Sequence, residues 1–272
     1  MPSVVVHFHG ELLDLLAVDR RSRPARVEVG PGTTVKDLAE SLGVPHTEID
    51  AVLVNGVSVG FGHRLRDGDD VDVYPDADRV EGSPVVRLRS PGSPVPRFVL
   101  DVHLGRLARL LRLLGFDSVW RNDMSDDELV GTSVGEGRVL LTRDRSILKR
   151  SAVTQGYYVR STDRRSQVVE VLGRYGLFGS IAPFGRCLRC NGVLQDVAKV
   201  TVENRLPPLT RRTHDEFRTC AACGRIYWRG SHYDRLAAVV QAVRQAAPDA
   251  GSAMPQTPEG PERGAAPSPE DR

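Results

Sequence analysis

No run of apolar residues in this 272-residue chain approaches the roughly 20 that a bilayer-spanning helix needs, which excludes an integral membrane protein. The N-terminus lacks a basic n-region, and its short apolar stretch Val4 to Val6 soon meets His7, His9, Glu11 and Asp14, so a cytoplasmic protein is expected. There is no P-loop, and Gly60-Phe61-Gly62 has no third glycine where a dinucleotide fingerprint requires one. Cysteine is scarce and confined: all four lie between positions 187 and 223, in two C-x2-C pairs. Without a secretion signal, such pairs favour thiolate coordination of a metal over disulfides.

The small net charge of +2 conceals a partition. Residues 1–96 carry −5, residues 97–247 carry +10, and residues 248–272 carry −3. A polyanion such as RNA or DNA is the natural partner of the basic segment, although charge alone gives only non-specific attraction. The length suits two or three compact units.

Residues 1–78 read as short strands at Val4 to Phe8, Arg26 to Val29, Val52 to Val54 and Asp70 to Tyr74, with a helix from Thr34 to Leu42 that Thr34 can cap. Asn55-Gly56 and Asp67-Gly68 mark turns. This order, with Val54-Asn55-Gly56 and the run Leu65 to Val71, resembles the ubiquitin-like β-grasp in its sulfur-carrier form. Carrier chemistry needs a terminal diglycine, whereas Pro75-Asp76-Ala77-Asp78 follow the last strand here. A structural or docking role toward a protein partner is therefore expected. Residues 79–96, with Pro84, Pro91, Pro94 and Pro96, read as a linker. Residues 248–272 hold six of the eighteen prolines and almost no large apolar residue, the composition of a disordered tail.

Residues 97–180 alternate strand and helix, which implies a mostly parallel sheet covered on both faces. Strands are expected at Phe98 to Leu100, Val119-Trp120, Val139 to Thr142 and Tyr157 to Arg160. Helices are expected from His103 to Leu114, from the acidic stretch Asp123 to Glu128, and around Val168 to Leu172. Two of the strands run into an acid, Asp101 and Asp144, and in open parallel sheets ligands bind at the carboxyl ends of the strands. Clustered carboxylates call for a divalent cation; hard oxygen ligands suit Mg²⁺ or Mn²⁺, which support phosphodiester hydrolysis. The plainer alternative is that Asp123 to Glu128 complement a helix dipole and that Asp144 caps a turn.

The runs Phe98 to Asp117, Arg121-Asn122-Asp123 and Val139 to Arg145 resemble the PIN-like RNase domain family first named for the C-terminus of the mutator-seven exonuclease. Its bacterial members are similar over about residues 1–240, as a ubiquitin-like front, a PIN-like domain and a zinc ribbon. The resemblance implies a nuclease fold with Asp101 and Asp144 as metal carboxylates and Asp123 or Asp126 as helpers. Many PIN nucleases carry another acid two residues after the Asp of the T-x-D segment; Ser146 stands there in this chain.

Cys187, Cys190, Cys220 and Cys223 form two knuckles, each followed by a glycine, and four thiolates satisfy tetrahedral Zn²⁺ with no open position. The 29 residues between the knuckles leave room for an insertion, Leu194 to Pro208. Tyr227 and Trp228 are equally consistent with stacking on bases and with packing a small core. The sequence as a whole reads as a multidomain α/β protein: β-grasp domain (1–78), linker (79–96), PIN-like domain (97–180), zinc ribbon (181–240) and tail (248–272). The expected activity is that of a metal-dependent ribonuclease. Phosphates would be gripped by Arg106, Arg109 and Arg112, taken as one helix face, and by Arg143, Arg145, Lys149 and Arg150. The competing expectation is a non-catalytic RNA-binding or adaptor protein whose β-grasp domain docks a protein.

Overall fold

The computed structural model describes residues 2–81, 85–89 and 92–247. The expected tail, 248–272, lies outside the described residues, as do 82–84 and 90–91 of the linker.

The N-terminal unit consists of β1 (Ser3–Phe8), β2 (Ala25–Glu28), α1 (Val35–Ser41), β3 (Ala51–Val54), β4 (Val57–Ser58) and β5 (Asp70–Tyr74). The strands pair in the order β2-β1-β5-β3-β4, with β1 and β5 parallel and the other pairs antiparallel. Alternation along β1 sends Val4, Val6 and Phe8 into one core with Val35 and Leu38 of α1. Thr34 caps α1 through a reciprocal box with Asp37. Asn55 and Gly56, both at positive φ (52° and 78°), make the two-residue turn between β3 and β4. This is the β-grasp architecture expected from the sequence.

The second unit holds β6 (Phe98–Leu100), α2 (Gly105–Leu113), β7 (Ser118–Val119), α3 (Asp126–Glu136), β8 (Val139–Thr142), α4 (Arg145–Leu148), β9 (Gly156–Tyr158) and α5 (Arg164–Arg174). All four strands are parallel, in the order β7-β6-β8-β9. Phe98, Leu100 and Leu141 pack with α2 and α5 on one face, while Val99 and Leu140 pack with Leu129, Ile147 and Leu148 on the other. The chain steps outward from β6 to β7, then returns past β6 to β8. The topological switch point of the sheet therefore lies between β6 and β8.

The cysteine-bearing unit comprises β10 (Leu194–Val197), α6 (Lys199–Val202), α7 (Pro208–Thr213), β11 (Phe217–Cys220), β12 (Ile226–Trp228) and α8 (Ser231–Gln245). Its three strands form an antiparallel sheet. The insertion between the cysteine pairs is thus β10 followed by two short helices. Val240 and Val243 of α8 are buried in the same cluster as Phe98 and Leu107, so one apolar core continues across position 180. Among the described residues, no helix is long and apolar enough to cross a membrane.

The segment 85–89 is pinned rather than free. Leu88 N donates to the Asp50 carbonyl (2.8 Å), and Arg89 N donates to the Asp50 carboxylate (3.2 Å). Burial alone would raise the Asp50 pKa, but the Ala77 amide and Arg89 outweigh it and hold the carboxyl below its usual range.

The first two units meet through polar groups. Glu48, only 1% exposed, accepts from the Tyr158 amide (2.6 Å) and from the Arg160 guanidinium (2.8 Å). His46 Nε2 donates to the Val153 carbonyl (2.8 Å), and Lys149 Nζ donates to the Glu40 carbonyl. Removing one partner of a buried ion pair leaves the other charge uncompensated. Glu48→Ala should therefore destabilise the protein by about 3 kcal/mol and speed hydrogen exchange at the Tyr158 amide. Thr47→Val is the control: the buried Thr47 hydroxyl has no hydrogen-bond partner, so its loss should leave stability unchanged or raise it. Equal destabilisation by both variants would contradict the role given to Glu48.

Candidate active site

Residues that follow the adjacent parallel strands β6 and β8 are side by side by construction. Leu100 pairs with Leu141, so the next positions, Asp101 and Thr142, sit together at the carboxyl ends of the strands. The Asp101 amide continues the ladder to the Leu141 carbonyl (3.1 Å). The fully buried Thr142 hydroxyl donates to Asp101 Oδ2 (2.7 Å) and accepts from the Asp144 amide (2.9 Å). One hydroxyl thus orients the first acid and fixes the backbone that carries the second.

Asp101 is 7% exposed, and its partners are the Thr142 hydroxyl and, at 3.5 Å, the His103 amide. Asp144 is exposed and caps α4, accepting from the Ser146 amide (2.7 Å). Among the described residues, neither acid forms an ion pair with Lys, Arg or His. A nearly buried carboxylate without a cation is costly, because desolvation is not offset.

Asp123 and Asp126 are placed elsewhere. Asp123 pairs with Arg121 (3.3 Å), and Asp126 lies 3.7 Å from Arg150 at the start of α3. Among the described residues, the one group of three or more possible metal ligands is the cysteine quartet, so neither acid joins Asp101 and Asp144 in a shared set. Ser125 caps α3 in a box with Glu128, whose pKa falls to about 2 through the Ser125 amide and Arg121. The acidic stretch is thus largely helix-start chemistry.

The arginines also divide. Successive residues spaced by three drift by about 60° around a helix, so Arg112 lies far round α2 from Arg106. Arg106 and Arg109 are exposed, whereas Arg112 is 2% exposed and donates to the carbonyls of Ser118, Leu188 and Arg189. Arg143 donates into the carbonyls of Val159, Arg160 and Ser161. Arg145 donates to the Leu15 carbonyl and lies over the Tyr158 ring (5.2 Å). These three side chains are spent on structure: Arg112 does not share the expected phosphate-gripping face with Arg106 and Arg109, and Arg143 and Arg145 are engaged by backbone carbonyls instead. Lys149 and Arg150 are likewise committed, to the Glu40 carbonyl and to Asp127.

The four cysteine sulfurs lie within 4.8 Å of one another, with Cys187–Cys223 at 3.7 Å and Cys190–Cys220 at 3.4 Å. These separations are far beyond a disulfide bond and close to the roughly 3.8 Å edge of a tetrahedron with Zn–S bonds of 2.3 Å. The cluster can hold a metal ion such as zinc. Burial would raise the Cys187 pKa, but the Tyr227 hydroxyl and nearby amides outweigh it and bring it down to about 6; Cys190 is pushed up to about 12 by burial and by its neighbouring sulfurs. Four thiolates in this volume call for a cation.

The cluster docks at the amino ends of the strands, opposite Asp101. Asp117 accepts from Arg138 (2.6 Å) and from Asn191 (2.8 Å), and Arg186 lies 3.4 Å away. Burial favours the neutral acid, yet these donors and charges prevail and hold the Asp117 pKa below its usual range. A lowered folded-state pKa contributes stability above the unfolded value near 3.8 that disappears as pH falls through the folded one. Below about pH 4, the cysteine unit should therefore loosen from β7, and Asp117→Asn should flatten the acid limb of a Tm-versus-pH curve. An unaltered acid limb in that variant would count against this link.

Two further residues, Thr142 and Gly105, escape a sequence reading, and the structure separates Tyr227 from Trp228. Thr142 is visible only as two positions before Asp144. Gly105 is required because a Cβ there would sit 2.4 Å from the Trp120 ring, which also donates to the Val102 carbonyl beside Asp101. Tyr227 is bound to Cys187 (3.1 Å) and to the Leu188 amide (3.1 Å), so it belongs to the cluster, while its neighbour Trp228 is 36% exposed.

The fold defines a multidomain protein: a β-grasp unit joined to a parallel α/β domain, with Asp101 at the switch point of its sheet. The family model described as Mut7-C RNAse domain matches residues 96–240, and the one described as Mut7-C ubiquitin matches residues 1–81. The chain belongs to the Mut7-C RNAse domain family. No curated protein matches it. Among solved structures, small archaeal modifier protein 1 from H. volcanii is 22% identical and covers 28% of this chain and 98% of its own, with a TM-score of 0.23. A protein titled molybdopterin converting factor, subunit 1, from Pyrococcus furiosus is 28% identical over 28% of this chain and 98% of its own, with a TM-score of 0.22.

Proposed function

We propose that this protein is a metal-dependent ribonuclease in which Asp101 and Asp144 hold Mg²⁺ or Mn²⁺. The observation that carries the reading is the carboxylate pair left without a cationic side chain at the switch point, one member nearly buried. Mg²⁺ is commonly held by one or two carboxylates together with water and substrate phosphate, so two acids suffice. Bound there, the ion supplies Lewis-acid activation of water and charge stabilisation at the scissile phosphate. Thr142 holds Asp101 in its orientation, and the exposed Arg106 and Arg109, which have no acidic partner, are free to take neighbouring phosphates. Asp123 and Asp126 serve as partners of Arg121 and Arg150 rather than as ligands.

The four cysteines hold a structural zinc, since four thiolates leave no open position for catalysis. The β-grasp unit lacks the tail a carrier needs and acts by docking. Within the chain it docks on β9 and the Val153 loop, and a separate protein would join through an edge strand such as β2.

The test is cleavage of single-stranded and structured RNAs by the zinc-loaded protein. Mn²⁺-dependent cutting that is lost in Asp144→Asn, with RNA still bound, is the expected result. Wild-type protein that binds the same RNAs and leaves them uncut in Mn²⁺ and Mg²⁺ would favour the non-catalytic adaptor.

A further inference from the structure

A wide groove lies away from the two acids, between α8, the exposed side of α2 and the sheet β10–β12. Its volume is about 1770 Å³, well above the range of pockets that enclose a small ligand. Seven arginines and two acids line it, a strongly positive surface. Both acids are already neutralised, Asp196 by Arg218 (2.8 Å) and Glu216 by Arg229 (3.7 Å). Arg109, Arg225 and Arg235 line the groove, are exposed and have no acidic partner among the described residues.

Aromatic rings supply the second feature. Phe184 and Tyr233 stack at 4.5 Å, Arg229 lies over Tyr233 (5.6 Å), and Trp228 stands exposed beside them. Phe184 is held at φ +62°, a conformation unfavourable for a bulky side chain, by hydrogen bonds from its amide to the Leu113 carbonyl and from Arg218 to its own carbonyl. The surrounding structure thus over-determines the placement of this ring. The exposed Trp228 and the half-buried Phe184 and Tyr233, set among arginines without acidic partners, make the kind of surface that single-stranded nucleic acid uses, with bases on the rings and phosphates on the guanidinium groups.

The groove opens onto α2, whose Arg109 belongs to it and whose Arg106 lies one turn nearer Asp101. A short 3-10 turn, Val102–Leu104, joins Asp101 to the start of α2. We propose that this groove binds single-stranded RNA and that α2 is the rail along which the strand reaches Asp101 and Asp144. This deepens the ribonuclease reading and rests on it for the cleavage step alone, because binding in the groove needs neither acid.

The test uses the zinc-loaded full chain and a fluorescein-labelled, unstructured single-stranded RNA, with binding read by anisotropy without added divalent ions. Arg225→Gln combined with Arg235→Gln should flatten the slope of log K against log salt by about 1.4, two contacts at 0.7 each. Trp228→Ala should weaken binding by roughly 5- to 150-fold with little change in that slope. All three side chains are exposed, and unchanged zinc content and Tm verify the fold. Groove variants that bind RNA like wild type would overturn the proposal, even if Asp144→Asn still abolishes cleavage and so upholds the ribonuclease. Loss of RNA binding in these variants would uphold the groove even if the wild-type protein cuts nothing. If they lose affinity for an acidic peptide but not for RNA, the proposal is overturned in favour of a protein ligand.

Discussion

Asp101→Asn is expected to lower RNA cleavage by at least about 10²-fold while leaving RNA affinity within a few-fold of wild type. The asparagine oxygen still accepts from Thr142, so the local geometry is preserved and only the charge is lost. On the proposed mechanism, several kcal/mol of transition-state stabilisation depend on that charge through the ion it would help to hold. Folding should respond in the opposite sense. In metal-free protein the carboxylate is nearly buried without a cation, so neutralising it should raise Tm by a few degrees, and the gain should vanish on adding Mn²⁺, which stabilises only wild type. Thr142→Val should share the loss of cleavage without that gain, because it removes the donor and leaves the charge. A variant cutting as fast as wild type would remove Asp101 from the metal site. These signs together separate a catalytic acid from a helix-capping one.

The zinc prediction has the larger effect on folding. Stripping the metal with a chelator, or Cys190→Ser, should unfold residues 185–228, because structural zinc contributes on the order of 10 kcal/mol that is folding free energy. The damage should extend into the parallel-sheet domain. Arg112 reaches from α2 to the Leu188 and Arg189 carbonyls of the first knuckle, Asn191 holds the Ser118 amide, and α8 buries Val240 and Val243 against the sheet. Without the knuckle, the Arg112 guanidinium is left buried without those two acceptors. Circular dichroism should therefore show loss of helix as well as of the cysteine unit, with β1–β5 surviving as a separate transition. Retention of the full native Tm after complete zinc removal would end the structural role of the cluster.

How far the sequence carried this picture depended on whether the information was local. The strands before Asp101 and Asp144 were legible because a short apolar run followed by an acid reports a strand end, and adjacency of β6 and β8 then sets Asp101 beside Thr142, two residues before Asp144. Thr34 and the two cysteine pairs were legible for the same reason, each acting within a few residues, whereas the Ser125 cap was not read. The fate of Arg112, Arg143 and Arg145 was not, since a spacing of three shows an approximate face but not which carbonyls lie opposite it. Those carbonyls come from 188–189, 159–161 and residue 15, brought in by tertiary packing. The groove was illegible for a related reason. Arg109, Phe184, Trp228 and Arg235 come from four separate elements, and only the docking of α8 against the sheet gathers them.

The central claim is that Asp101 and Asp144 together hold a divalent ion. Counting bound Mn²⁺ by electron paramagnetic resonance during a titration of zinc-loaded protein tests it without reference to any RNA. Wild type should bind Mn²⁺ saturably, and the Asp101→Asn/Asp144→Asn double variant, its fold verified by Tm, should lose that binding. Equal Mn²⁺ binding by the two proteins, or none by wild type in the presence of a non-cleavable RNA analogue, would contradict it.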